Sequence, residues 1–309
     1  MKFALIGRSE LSYDSALLLI KEGHELKLVV TAKEAPEYKY TSLDFKRLAD
    51  LHGATFVHSA TLTRKDVESH VLRENIPVAV SVNYSGIISS EVISLFPLGI
   101  LNAHSGDLPR YRGNACQAWA IINGEDKIGL CIHKMIGDEL DSGDIIDRAY
   151  FPLTIDTRVG EAFNWMTNEI PGMMSRAIKA LSYNPHFHLE TQSKDPQDAL
   201  RCYPRRPEDG RIDWNHSAVR ILRLINASSE PYRGAFGLFD KKEITIWRAQ
   251  LYSDSEKYVA VPGQIGQLMY DGDIVVITGD GKLILQEVEI DGERFKPGNF
   301  IKSIRKRFY

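Results

Sequence analysis

The first 104 residues alternate short apolar runs with helical patterns, and this alternation restricts the fold more than any other property of the chain. The opening run KFALIG (2–7) ends in glycine. Apolar residues then recur at helical spacing over 13–22, with Gly23 as the stop. Residues 25–31 (ELKLVVT) return to a strand pattern. A second helix is predicted over 43–52, closed by Gly53, and a third over 65–74. VAVSVN (78–83) and GILNAH (99–104) are again strand-like. Strands and helices in this order predict a doubly wound α/β domain with a mainly parallel sheet. Ligands of such sheets bind beyond the carboxyl ends of the strands, so chemistry is expected just after those ends.

Residues 127–135 and 145–151 predict two more strands, and 159–181 a long helical pattern interrupted by Pro171. From about residue 186 apolar periodicity fades and prolines accumulate. The expected organisation is therefore a catalytic domain over 1–190, a linker over 191–213 and a second domain over 214–309. In that second domain one helix pattern (217–225) precedes short strands, GAFGLF, EITIWRAQLY, GQIGQLMY, DIVVITGD and KLILQEVEI, with turns at Asp271-Gly272 and Asp280-Gly281. Strands at this spacing predict a small β-barrel like the oligonucleotide/oligosaccharide-binding fold. The basic end KSIRKRFY is expected to be a solvated tail.

A chain of 309 residues exceeds the usual single-domain size, and its formal net charge is −3. That balance points away from a nucleic-acid-binding protein, which needs a concentrated basic surface. Cys116, Cys131 and Cys202 are odd in number and widely spaced, giving neither a disulfide framework nor a zinc signature. No stretch is long and apolar enough to span a bilayer, and the first apolar run reads as a buried strand rather than a signal peptide. A cytoplasmic setting is expected.

The segment LNAHSGDLPRYRGNACQAW (101–119) carries the first chemical signal. Asn102 and His104 occupy alternate positions at a strand end, so both can face one way. An amide can donate to a developing oxyanion, and an imidazole can exchange a proton near neutral pH. GDELDSGDII (137–146) is the second signal, an acidic turn between two predicted strands. Its spacing does not match a calcium loop, and Asp141 is a candidate partner for His104.

Asn102-Ala103-His104, Leu108-Pro109, Tyr111-Arg112-Gly113 and Leu140-Asp141-Ser142-Gly143-Asp144-Ile145 stand in one order along the chain. Together they resemble the formyltransferases that use N10-formyltetrahydrofolate. Relatives usually carry His-x-Ser-Leu-Leu-Pro where this chain reads His104-Ser105-Gly106-Asp107-Leu108-Pro109, and Asp107 is expected to be exposed. The resemblance implies direct attack of a substrate amine on the formyl carbon. Asn102 and a protonated His104 would stabilise the oxyanion, with Asp141 orienting His104 and helping remove the ammonium proton. No metal is implied. The folate slot would be Ser85, Gly86, Ile87 and Ile88 facing Gly137, Asp138 and Leu140, with one of the two isoleucines serving as core. Relatives are often dimers, so a homodimer is a further expectation.

Among the branches of that family, the extra length disfavours those acting on glycinamide ribonucleotide. The stretch TAKEAPEYKYTSLDF lacks glycine and arginine and contains Glu34, Glu37 and Asp44, which reads as a poor tRNA grip. RRPEDGRIDW (205–214) and EPYRGAFGLF (230–239) are similar to enzymes acting on nucleotide-linked amino sugars. The expected acceptor is therefore a UDP- or dTDP-linked amino sugar for surface polysaccharide, with Tyr111, Arg112, Asn114 and Tyr232 as candidate contacts and no nucleic acid. Methionyl-tRNA formylation is the alternative, as is a non-catalytic binding protein of the same fold. A dinucleotide-dependent oxidoreductase is rejected because Gly7-Arg8-Ser9-Glu10-Leu11-Ser12 lacks the glycine fingerprint.

Overall fold

The computed structural model describes every residue except Glu37 and Ser255. Among the described residues, the first sheet has seven strands: β1 (Lys2–Gly7), β2 (Glu25–Thr31), β3 (Thr55–His58), β4 (Val78–Val82), β5 (Ile100–His104), β7 (Lys127–Lys134) and β8 (Ile145–Pro152). Their order is β3-β2-β1-β4-β5-β7-β8. Pairings from β3 to β5 are parallel, and β7 runs antiparallel to β5. This is the doubly wound arrangement that the alternation predicts.

Alternation within β1 shows why both faces are covered. Phe3 and Leu5 join one apolar cluster with Phe45, Leu48, Met173 and Met174, while Ala4 and Ile6 join another with Val67, Val71 and Val92. Each face then buries large side chains, at about 1.5–3 kcal/mol for each fully buried one.

The helices begin where short polar side chains can cap them. Helix α1 (Glu10–Lys21) starts after Ser9, α2 (Ser42–Leu51) after Thr41, and α3 (Arg64–Glu74) after Thr63. In α2 and α3 the carboxylates of Asp44 and Asp66 accept from the backbone N–H of Thr41 and Thr63. Short α4 (Ser90–Ile93) precedes β5, and β6 (Arg112–Gly113) precedes α5 (Cys116–Asn123). Helix α6 (Val159–Tyr183) runs unbroken through Pro171, where the sequence pattern predicts an interruption.

The chain divides into two compact units that interleave along the sequence. Met1–Cys116, Ile128–Phe151 and Phe163–Cys202 form the first. Gln117–Lys127, Pro152–Ala162 and Tyr203–Tyr309 form the second. Residues 191–202, expected as linker, pack within the first unit; β9 (Arg201–Cys202) pairs with β6.

The second unit contains α7 (Ala218–Ser228), β10 (Ala235–Phe239), β11 (Lys242–Tyr252), β12 (Ile265–Leu268), β13 (Ile274–Ile277), β14 (Lys282–Ile290) and β15 (Glu293–Phe295). Its strands form an antiparallel sheet in the order β10-β11-β14-β13-β12, with β15 on β14. The basic end corrects the expectation of a solvated tail. Phe308 is buried between Trp214 and Phe239, with ring centroids 4.9 and 5.1 Å away. Backbone bonds join Tyr309 to Leu238 beside it, and Phe308 and Lys306 to Gly263 and Ile265. Residues 306–309 thus stitch the two edge strands β10 and β12 together, because an apolar side chain among the basic ones finds the core.

Candidate active site

Strand β5 ends at His104, and Asn102 and His104 share one of its faces. The antiparallel register sets His133 opposite Asn102 and Cys131 opposite His104. Four side chains therefore project from the same side of the β5–β7 pair. The turn between β7 and β8 brings Asp141 back over them. Its carboxylate lies 3.5 Å from His104 Nδ1 and 3.5 Å from His133 Nε2, and accepts from the Gly113 N–H at 2.9 Å. The three expected reaction residues are thus brought together, along with one the sequence reading missed, His133.

The partners define which nitrogen carries hydrogen. His104 Nε2 donates to the Tyr111 carbonyl at 2.6 Å, leaving Nδ1 toward Asp141. His133 Nδ1 donates to the Lys134 carbonyl at 3.1 Å, so its Nε2 accepts from Asn102 Nδ2 at 3.2 Å. One N–H of the Asn102 amide is thereby used and the other remains available for an incoming oxygen.

Burial is the largest influence on both titrating partners. It drives the His104 pKa below its ordinary value, outweighing the opposite pulls of Asp141 and the Tyr111 carbonyl. For Asp141 burial works against the charge, but His104, His133 and the Gly113 N–H together hold the carboxyl well below the usual carboxylate range. For His104, burial set against the Asp141 charge favours the neutral ring more than in a free imidazole.

The turn segment of the expected folate slot packs against Ser90, at the start of α4. A Cβ on Gly137 would collide with the Ser90 backbone, and Ser90 Oγ donates to the Asp138 carboxylate at 3.3 Å. Gly86 meets the chain's own Ala60 carbonyl, 2.5 Å from where its Cβ would be. Ile87 is 81% exposed and Ile88 only 2%, so Ile88 is the core residue of the pair. Ser85 is exposed, and Leu140 offers a second exposed apolar side chain.

The candidate acceptor contacts are scattered. Tyr111 is buried, and its role in this cluster is its carbonyl, which also accepts from Cys116 Sγ at 2.9 Å. Arg112 Nη2 donates to Gln192 at 3.0 Å. Asn114 is exposed, with its N–H bonded to the Cys202 carbonyl. Tyr232 belongs to the second unit, where its hydroxyl accepts from Gln117 Nε2 at 3.2 Å. Asp107, expected to be exposed, is only partly so: it pairs with Arg148 Nη1 at 2.5 Å, since that guanidinium lies beneath its loop. All three cysteines are buried and free; burial pushes the Cys131 thiol up to about 12. Among the described residues no helix is long and apolar enough to cross a membrane.

Residues 1–178 match the formyl transferase family, and residues 205–305 match the formyl transferase C-terminal domain. The chain belongs to the formyl transferase family. It is accordingly an enzyme of formyl transfer.

Methionyl-tRNA formyltransferase of Agathobacter rectalis is 27% identical over 307 residues, covering 98% of this chain and 96% of its own length. That of Ruminiclostridium cellulolyticum is 28% identical over 311 residues, with coverage of 98% and 96%. Among solved structures, the N-formyltransferase of Helicobacter canadensis in complex with folinic acid and dTDP-3-aminofucose superposes with a TM-score of 0.66. It is 18% identical and covers 92% of this chain and 98% of its own, so it speaks for the fold alone.

These relatives overturn the expected amino-sugar acceptor, and with it the expectation of no nucleic-acid partner. The misreading has structural causes. Asp44 and Glu34 accept from backbone N–H groups at the start of α2, of Thr41 at 2.9 Å and Ser42 at 3.2 Å, so they serve the helix. Glu37 lies outside the described residues. The stretches read as sugar-specific build the second unit. Arg205 donates to the Ala227 carbonyl and Ser228 hydroxyl, Trp214 is core, and Glu230 pairs with Arg158 and Arg294.

Proposed function

We propose that this enzyme transfers a formyl group from N10-formyltetrahydrofolate to the α-amine of methionyl-tRNA. The observation that carries the reading is the nearly end-to-end correspondence with methionyl-tRNA formyltransferases, across both matched regions. The expected cytoplasmic setting accords with such an acceptor.

The folate supplies an activated formyl carbon with N10 as the leaving nitrogen. Ile87 and Leu140 would flank its ring system, beside the backbone of 85–88 and 137–140. Asn102 Nδ2 is the donor to the oxyanion, aligned by its second N–H bond to His133. Neutral His104 keeps an unprotonated Nδ1 beside the Asp141 carboxylate, and that pair takes the proton released as the amine becomes an amide and returns it to N10 as tetrahydrofolate leaves. The Asp141 charge then stabilises the imidazolium so formed.

The test is incubation of the purified enzyme with N10-formyltetrahydrofolate and charged initiator tRNA, scoring formyl-methionine after deacylation. Formylation of nucleotide-linked amino sugars and of no aminoacyl-tRNA would overturn the reading.

A further inference from the structure

Gln192 lies in the stretch where apolar periodicity fades, yet it is 3% exposed. Every hydrogen-bonding direction of its amide but one acceptor lone pair is used. Nε2 donates to the carbonyls of Asp141 at 3.0 Å and Gly143 at 2.7 Å, and Oε1 accepts from Arg112 Nη2 at 3.0 Å. These partners come from two separate segments and converge on one side chain.

The turn it grips is closed at its ends, where the Lys134 N–H donates to the Asp144 carbonyl at 3.0 Å, but the Asp141 and Gly143 carbonyls within it are bonded by Gln192. Asp141 sits in the left-handed region with φ of 48°, which is unfavourable for a residue with a Cβ. Gly143 packs against the Lys134 carbonyl so closely that no side chain would fit. Nearby residues 189–190 run beside the start of β8, with the Leu189 N–H donating to the Ile145 carbonyl at 2.7 Å and the Ile145 N–H to the Glu190 carbonyl at 2.8 Å. Gln192 is thus held by a sheet-like contact while it holds the turn. A neutral amide suits this task, because its two donors satisfy buried carbonyls without adding a charge beside Asp141.

We infer that Gln192 is a positioning residue for formyl transfer, fixing the turn so that the Asp141 carboxylate meets His104 and the Gly113 N–H. The inference rests on Asn102, His104 and Asp141 being the reaction centre, and does not depend on which amine is the acceptor. Arg112 is the other beneficiary: Gln192 holds its guanidinium, whose Nε is buried without a hydrogen-bond partner.

Two variants test this. Gln192→Met keeps the length and removes every hydrogen bond; Gln192→Glu keeps the acceptor for Arg112 and removes the donors. The expected result is a kcat lower by about ten- to a hundredfold, with the KM for the formyl donor changed by about threefold or less. The second readout is NMR titration of the His104 ring, assigned through His104→Asn, which needs no acceptor. The His104 midpoint should move to lower pH in Gln192→Met, since the carboxylate favouring the imidazolium has drifted away; the added charge of Gln192→Glu acts in the opposite sense, so that variant is read by kcat and KM. A kcat within about twofold of the parent in both variants overturns the inference. So does a loss of kcat with an unmoved His104 midpoint in Gln192→Met, which marks a purely structural role. Should Gln192→Met not fold, Gln192→Glu decides by whether kcat falls while the KM for the formyl donor holds. Failure of the parent enzyme to formylate methionyl-tRNA would remove that acceptor while leaving the ring titration to decide on Gln192.

Discussion

His104 is buried with one ring nitrogen bonded to the Tyr111 carbonyl and the other facing Asp141, and in the proposed mechanism it works as the neutral ring. Its folded pKa is lowered, which means the unfolded chain binds the proton more readily. The neutral ring's contribution to stability is complete above about pH 6.5 and is lost as pH falls toward the depressed folded value. Turnover should follow, with kcat declining on the acid side as His104 takes a proton before the amine can supply one. A pH–rate profile flat through this range would remove His104 as proton acceptor. Asp141 has the same sign: its folded pKa is depressed, so its stabilisation is present above about pH 4 and lost as pH falls further. Acid unfolding of Asp141→Asn should therefore be less steep than that of the parent below that point. For Asn102→Ala, loss of the oxyanion donor is expected to cut kcat by about 10²–10³ with the fold retained by circular dichroism. Asn102, His104 and Asp141 were singled out by two separated motifs that agree in content and order with one family, each residue being ordinary when taken alone. His133 was not: it sits inside the apolar run KIGLCIHK, where only the register with β5 reveals what it faces.

The turn after β7 lies against the start of α4, and in the loop between β4 and α4 the two isoleucines divide the work by exposure. Ile87 faces solvent and Ile88 packs with Val92, Leu95 and Phe96. Replacing Ile87 with alanine should raise the KM for the formyl donor and leave the melting temperature nearly unchanged. Replacing Ile88 should instead cost about 2–5 kcal/mol in denaturant unfolding, through the cavity it leaves. The reverse pattern would mean that the slot lies elsewhere. Periodicity identified this loop as following a strand but could not say which isoleucine turns inward, because both follow the last paired residue. Strand β3 escaped sequence reading for a related reason: TFVH is short, lies at the sheet edge and is nowhere fully buried. Helix α5 was hidden for the same kind of reason: CQAWAIIN is only eight residues long, too short for its apolar spacing to stand out.

At the scale of the molecule, the division into units does not follow a single cut of the chain. Residues 117–127 and 152–162 belong with the C-terminal unit, where Asn226 Nδ2 donates to the Ile155 carbonyl at 2.9 Å and Arg158 pairs with Glu230 at 2.7 Å. We propose that a fragment of residues 1–190 does not fold independently: those two segments would lack their partners. Limited proteolysis should cleave the fragment within 117–127 and 152–162 under conditions that spare the parent; protection of both segments would show otherwise. Length and texture pointed to two domains, but local patterning carries no information on segments that pack with distant partners. The same limit hid residues 306–309, whose pairing with β10 and β12 is set by Phe308 alone among basic neighbours. Deleting those four residues would leave two strand edges with unpaired N–H and C=O groups, ready to accept a strand from another molecule. The deleted protein is expected to scatter light on mild warming while its catalytic unit still binds folate. On that prediction residues 306–309 would act as a guard against aggregation, sealing from within the surfaces on which other copies would otherwise polymerise.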